Sequence, residues 1–396
     1  MSPIISEPMG GKSLILRLVL LGCALLPCET FTKQLVTEVS TQAEFIAAIG
    51  NDRTIFLKGD IYLTNSTFIQ YADTGIVIPA ATTGLVIEGN GFSIDGGVVM
   101  RCMYIGNVSD VEVNNLTITR GNAGMGPDGA DGGGLYLDSD AKANFDNCNF
   151  TSNQAGFEGG AILIDYNATA NFQRCQILKN KVGENFSGGG VFLYFARANF
   201  MSCLIKFNTA YSGGGVEISG NGATAHFYDS QISSNSADRG GGVCVTYEAV
   251  AYFNNTQIMS NVARRWGGGV HVLGGLTVTT ANLNNSEVFS NKAGGGGGGI
   301  YVERIAMLNC YNSHITSNLA LVIGGALNVD RDATASCHGV EFSNNSGPIE
   351  SGKDVHVEDF GTFTASKCPE GYETIVGPPL DEYPEKAKPD HSYTCR

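Results

Sequence analysis

An asparagine recurs along this chain at positions 153, 180, 208, 235, 261, 291, 318 and 345, at intervals of 27, 28, 27, 26, 30, 27 and 27 residues. A period of that length marks a structural unit used again and again. A triplet of small residues follows each asparagine except the last: Gly159-Gly160-Ala161, Gly188–Gly190, Gly213–Gly215, Gly240–Gly242, Gly267–Gly269, Gly297–Gly299 and Gly324-Gly325-Ala326. Gly132–Gly134, with Asn122 before it, marks one earlier copy. Eight residues before each asparagine stand Phe145, Phe172, Phe200, Phe227, Phe253, Leu283, Cys310 and Cys337. Three before stand Phe150, Ile177, Ile205, Ile232, Ile258, Val288, Ile315 and Phe342. After each triplet come apolar pairs spaced by two, such as Ile162/Ile164 and Val216/Ile218. Spacing by two is the mark of a half-buried strand, so each copy predicts three short strands separated by turns. One such unit cannot enclose a core, but a coil of them can stack at ~4.8 Å per turn. The expected fold is all-β, a right-handed single-stranded parallel β-helix of roughly ten rungs.

Composition agrees. The 53 glycines do not recur every third residue, which excludes collagen. With 43% hydrophobic and 16% charged residues the chain is too apolar for disorder. A net charge of −14 argues against nucleic acid as a partner.

The repeat, as in Phe150–Asn153 with Gly159–Ile162, resembles that of chlamydial polymorphic outer-membrane proteins, within the wider pectin-lyase-like β-helix group. The likeness is strongest from Ala143 to Ser346. No C-terminal barrel pattern follows, so the resemblance does not carry autotransport with it. It implies an extracellular coil used for display or adhesion, or a polysaccharide-acting enzyme. The Asn-Thr-Asp, Asp-Asp, Gly-His-Gly and Arg-Ile-Lys motifs of the group's hydrolases are missing.

Three segments are expected: a signal peptide over residues 1–30, the β-helix over 31–366, and a Pro-containing tail over 367–396. Lys12 precedes an apolar run from Leu14 to Leu26, followed by Pro27 and Cys28. That run is shorter than a comfortable membrane span of ~20 residues and suits a cleaved h-region, with an uncleaved anchor as the alternative. A secreted, extracellular or cell-surface glycoprotein without a membrane span follows. Sequons at Asn65, Asn107, Asn115, Asn149, Asn167, Asn185, Asn254, Asn284 and Asn344 fit that route. Ser40 or Thr41 is placed to cap a short helix carrying Phe45, Ile46 and Ile49 inward. Cys368 and Cys395 are the best disulfide candidates. Cys148, Cys175 and Cys203, continued by Ser230 and Thr256, read as a ladder of buried thiols, because a ~4.8 Å rung spacing exceeds what a disulfide wants.

For chemistry, the residue between each Val/Ile pair is expected on the outer face: Tyr136, Leu163, Phe192, Glu217, Cys244, His271, Tyr301 and Asn328. Glycoside hydrolysis needs two carboxylates and only Glu217 stands in this row, so Glu217 and His271 are weak catalytic candidates. A Cys244–His271 dyad is set against surface scatter. Asp128, Asp131, Asp138 and Asp140 are calcium candidates, or simply an acidic surface loop; no other cofactor is expected. The outer patch most suited to a ligand is Asp238, Arg239, Arg264, Arg265, Trp266 and His271, an aromatic beside cations that can stack on and bond a saccharide. Trp266 covering a turn is the equal alternative. The expected function is a secreted, non-catalytic surface, adhesion or glycan-binding protein whose partner is an extracellular or cell-wall polysaccharide or glycoprotein. The alternative is a lyase, hydrolase or epimerase acting on such a polymer.

Overall fold

A computed structural model describes residues 35–69, 72–124, 130–348, 353–357 and 360–366, and the backbone of 392–395. The chain divides into Met1–Lys33 and Gln34–Arg396. The expected signal segment, Asp128, Cys368 and nearly all of the tail lie outside the described residues; the Cys368–Cys395 bridge therefore does too.

The second unit is a parallel β-solenoid of about ten turns. Three faces repeat around it. The first has 14 strands, from Leu35–Val39 to Ser392–Cys395; the second has 11, from Ile61–Tyr62 to Glu341–Ser343; the third has 12, from Thr67–Ile69 to Val355–Val357. Like residues pair from rung to rung, Phe172 with Phe200 and Phe200 with Phe227 on the first face. Their rings stack nearly parallel at 5.0 and 4.9 Å, wholly buried. Ile177 with Ile205, and Val191 with Val216, close the core from the other two faces. Burying each such side chain contributes about 2 kcal/mol, and the stack repeats it at every turn. Among the described strands one pair is antiparallel, Thr67–Ile69 against Ala72–Ile78 near the first rungs.

The repeated asparagine is a corner post. Asn208 donates from Nδ2 to the Ile177 carbonyl (2.9 Å) and to Asn235 Oδ1 (3.0 Å), and Asn235 Oδ1 also accepts the Asn208 backbone N–H (2.9 Å). The pattern runs unbroken from Asn153 to Asn345. Buried turn carbonyls thereby find donors that water cannot supply. The triplet has its own reason: Gly213 has φ +59°, and a Cβ on Gly214 would come 2.4 Å from the Gly241 carbonyl oxygen of the next rung.

The thiol ladder is a hydroxyl ladder with sulfur in it. Cys148 Sγ donates to the carbonyls of Val113 and Asp146, at 3.3 and 3.4 Å. Ser230 Oγ makes the equivalent bonds to Phe200 and Tyr228, at 3.1 and 2.8 Å. All seven cysteines with described side chains are free and buried.

The short helix is Gln42–Ala48, and Thr41 Oγ1 caps it by accepting the Glu44 N–H at 3.3 Å. Phe45 enters the core as expected, but Ile46 faces solvent. Gln42 takes the inward place, one turn before Phe45, and donates to the Gly75 carbonyl while accepting from Thr64 N–H.

Candidate functional site

After each asparagine corner the chain does not return directly to the third face. It first makes a short outer segment ending at the glycine triplet. Four of these pair into a small sheet: Ser236–Arg239, Val262–Trp266, Lys292–Ala293 and Leu319–Ala320. Two earlier ones, Gln154–Ala155 and Lys181–Val182, pair with each other. Together they roof the outward side of the third face.

This roof corrects the expected exposure of the outward row. Tyr136, Leu163, Glu217, Cys244, His271, Tyr301 and Asn328 are buried and Phe192 is half-buried. They do stack in register, Glu217 beside Cys244, Cys244 beside His271, His271 beside Tyr301. A polar row between two layers must be satisfied internally. Glu217 accepts from Ser212 Oγ of the roof (2.7 Å) and from Thr246 Oγ1 (3.0 Å), and burial pushes its carboxyl up to about 7. Glu158, on the roof two rungs earlier, is pushed up to about 8, by burial first and then by Glu217 and Asp131.

The Cys244–His271 pair is real as a contact, with Sγ 3.7 Å from Nδ1, and His271 Nε2 lies 3.1 Å from Glu303 Oε1. Burial would raise the Glu303 carboxyl, but His271 and then Arg331 outweigh it and hold it low. The thiol is another matter. Burial, then the Glu217 charge, push Cys244 well above its ordinary value, so no thiolate nucleophile stands ready. His271 is 0% exposed, so neither it nor Glu217 meets solvent, and His271 does not belong to the outer patch.

The three calcium candidates among the described residues each have a partner of their own. Asp131 Oδ1 accepts the Glu158 N–H at 2.8 Å, Asp138 accepts the Tyr104 hydroxyl, and Asp140 accepts the Asn167 amide. Among the described residues no three His, Cys, Asp or Glu side chains converge to hold a metal.

What remains outside is compact. Asp238 is 5% exposed, and its carboxylate is gripped by Arg264 Nε and, at 3.1 Å, by Arg265 Nε, whose side chains stay open to solvent. Arg239 lies over the Tyr211 ring, 5.9 Å from its centroid. Trp266 rests on Tyr301 at 5.0 Å and above Gly295, so one of its faces serves the roof. Beside this patch an open groove of about 590 Å3 runs along the roof, bordered by Glu184, Tyr211, Asp238 and Arg264. A second hollow of about 310 Å3 shares Val182, Gly183 and Glu184 with it and reaches Lys181. The sequence reading missed Lys181, Glu184 and Tyr211. Their signal was positional: each falls between a repeat asparagine and its glycine triplet, the segment that forms the roof. Of the sequon asparagines, Asn65, Asn115, Asn167, Asn185, Asn284 and Asn344 are exposed and Asn107, Asn149 and Asn254 half-buried. Asn185 borders the groove.

Residues 36–157 match the family model described as "Putative pectate lyase-like adhesive domain". The match covers the irregular first rungs and the first regular repeat, through Asn153, and stops before the later copies. The matched part of the coil is similar to that family, whose description is that of an adhesive domain. No curated protein and no solved structure matches. The narrower likeness to chlamydial repeats has no counterpart in these comparisons. No helix of the described residues is long and apolar enough to cross a membrane.

Proposed function

We propose that the protein is a secreted, non-catalytic adhesive coil that holds an acidic saccharide of a cell-wall or extracellular polymer along its roof. The observation that carries this reading is the open groove beside Asp238 and Arg264. Arg264 on the groove wall and Lys181 in the neighbouring hollow stand opposite Glu184 and Asp238, with Arg265 bound to Asp238 and Arg239 over the Tyr211 ring, on a chain of net charge −14. Guanidinium groups can bond carboxylates in pairs while Tyr211 offers a ring beside them. The surrounding negative field makes such binding weak and salt-sensitive. A glycan array containing uronic-acid polymers tests it. Binding to polygalacturonate or a similar acid polymer is expected, and an Arg264→Gln, Tyr211→Leu variant should lose most of it. Equal binding by the variant, or binding of neutral glycans alone, would sink the idea.

A second reading is favoured by one observation. Glu158 and Glu217, with carboxyls raised by burial, resemble the protonated acid of a glycoside hydrolase. Against it, Glu217 is 4% exposed beneath Ser212. Incubating the array hits with the protein decides between the two: new reducing or unsaturated ends, lost in Glu217→Gln, would make it an enzyme.

A further inference from the structure

Glu217 reaches the groove through Ser212, the chain neighbour of the groove residue Tyr211. The Ser212 hydroxyl holds the buried carboxyl, and the preceding Tyr211 carbonyl accepts the backbone N–H groups of Asp238 (2.8 Å) and Arg239 (3.1 Å). Asp238 in turn holds Arg264 on the groove wall. A change at Glu217 therefore has a short covalent and hydrogen-bonded route to the ligand surface.

Arg239 is the part without a settled role. Its guanidinium leans over Tyr211, yet its Nε is buried and has no hydrogen-bond partner. A buried donor left unmade costs about 1–3 kcal/mol, which favours any rearrangement that supplies an acceptor. The charge acting on Glu217 from the roof is that of Arg239. The other groups around Glu217 are Ser212 on the roof, Cys244 and Thr246 on the next rung and Phe192 on the preceding one, with Glu158 two rungs back in the roof. His271, two rungs on, is already engaged with Glu303.

We propose that Glu217 and Arg239 form a proton-operated latch in the roof that regulates the groove. The inference rests on the reading of that groove as an acidic-saccharide surface. While protonated, Glu217 is neutral and satisfied by Ser212 and Thr246, and Arg239 stays at Tyr211 beside the ligand. When its proton leaves to solvent, a carboxylate stands in a dry layer and requires a counter-ion. Arg239 turns inward, its orphan Nε gains an acceptor, and the Tyr211 ring that lines the groove loses the cation lying over it. Because burial places the Glu217 carboxyl at about 7, the changeover falls in the neutral range. Acidic ligands are then held more tightly in mild acid than in mild alkali.

The chain's one tryptophan, Trp266, is the register partner of Arg239 and reports on it without any ligand. Its fluorescence, followed between about pH 5 and about pH 9, should change in a single step near neutrality in the wild type. The step should vanish in Glu217→Gln. In Arg239→Gln it should move up by about one pH unit, since an opposing charge has gone. The absence of a step in the wild type, the same step in Glu217→Gln, or an unmoved midpoint in Arg239→Gln would each overturn the latch; the last keeps the test decisive if Glu217→Gln does not fold. Polygalacturonate binding at the two ends of the range separates the two readings. A drop of about tenfold on going to alkaline pH, flattened in Glu217→Gln, supports both. The fluorescence step without any polygalacturonate binding would keep the latch and remove the saccharide reading. Binding that ignores pH would remove the latch and keep the saccharide.

Discussion

Two buried layers lie side by side in this coil and follow opposite rules. Inside the three faces, Phe145, Phe172, Phe200, Phe227 and Phe253 repeat one side chain on five successive rungs. Between the third face and its roof, the successive residues at one position are Tyr136, Leu163, Phe192, Glu217, Cys244, His271, Tyr301 and Asn328. The interior is closed on all sides by strands in fixed register, so every rung presents the same space to the next, and like residues fill it best. The roof is a short segment that stacks one alanine from turn to turn, Ala237, Ala263, Ala293 and Ala320, while its other side chains vary, so each rung there can settle the rest of its packing. Variation, titratable groups and unmade hydrogen bonds collect in the second layer. Function has more room there than in the first.

The contrast can be broken at its strongest point. Phe200→Asp should put an unpaired charge in the middle of the stack and cost on the order of 5 kcal/mol, enough to prevent folding. A soluble variant with the wild-type melting curve would mean that the interior is not the rigid layer. Next in size is the corner. Asn235→Leu removes the donor to the Ile205 carbonyl and the acceptor for Asn208, and should cost about 3 kcal/mol in a denaturant titration. A loss below about 1 kcal/mol would show that the ladder is ornament, not support.

The roof layer should answer to pH where the interior does not. Glu158 and Glu217 are raised by burial, so the folded state binds their protons more tightly than the unfolded chain. Their stabilisation is complete below the ordinary carboxylate range and fades as pH rises through about 7 for Glu217 and about 8 for Glu158. Glu303, held low, works the other way and loses its contribution only in acid. Melting should therefore fall between mild acid and mild alkali by an amount on the order of 2 kcal/mol. A Glu158→Gln, Glu217→Gln variant should flatten that slope, and an unchanged slope would place the titrating groups elsewhere. The smallest effect sharpens the boundary between roof and surface. Trp266→Ala should cost about 1.5 kcal/mol through its contact with Tyr301, where a purely surface residue would cost nothing measurable in the same melt.

Most of the fold was legible because its signals are local and repeated. The asparagine period, the pairs spaced by two and the glycine triplets each have one explanation, and eight copies exclude coincidence. The thiol ladder was legible for the same reason, as Cys148, Cys175 and Cys203 share a position with Ser230 and Thr256. The helix was read one residue wrong: Ile46 looked like the better inward residue, but burial of Gln42 is compensated by carbonyl and amide partners that local sequence does not reveal. The candidate site was half legible. Asp238, Arg264, Arg265 and Trp266 do come together, while Glu217 and His271 were placed on the wrong side of a layer.

Taken alone, the sequence determined the coil, its rung length, its corners and its inward residues, because rung-to-rung stacking turns a one-dimensional period directly into a three-dimensional ladder. Tertiary structure alone decided what happens outside the third face. Whether an outward residue meets water depends on where the segment after the asparagine lies, and the one period in that segment, an alanine two places on as at Ala237, Ala263, Ala293 and Ala320, does not state its path. Its path is set by contacts such as Ser212 on Glu217 and Trp266 on Tyr301, between residues on different strands and rungs. Alternation along a strand can say which residues point away from the core, but not whether a second layer waits there to cover them.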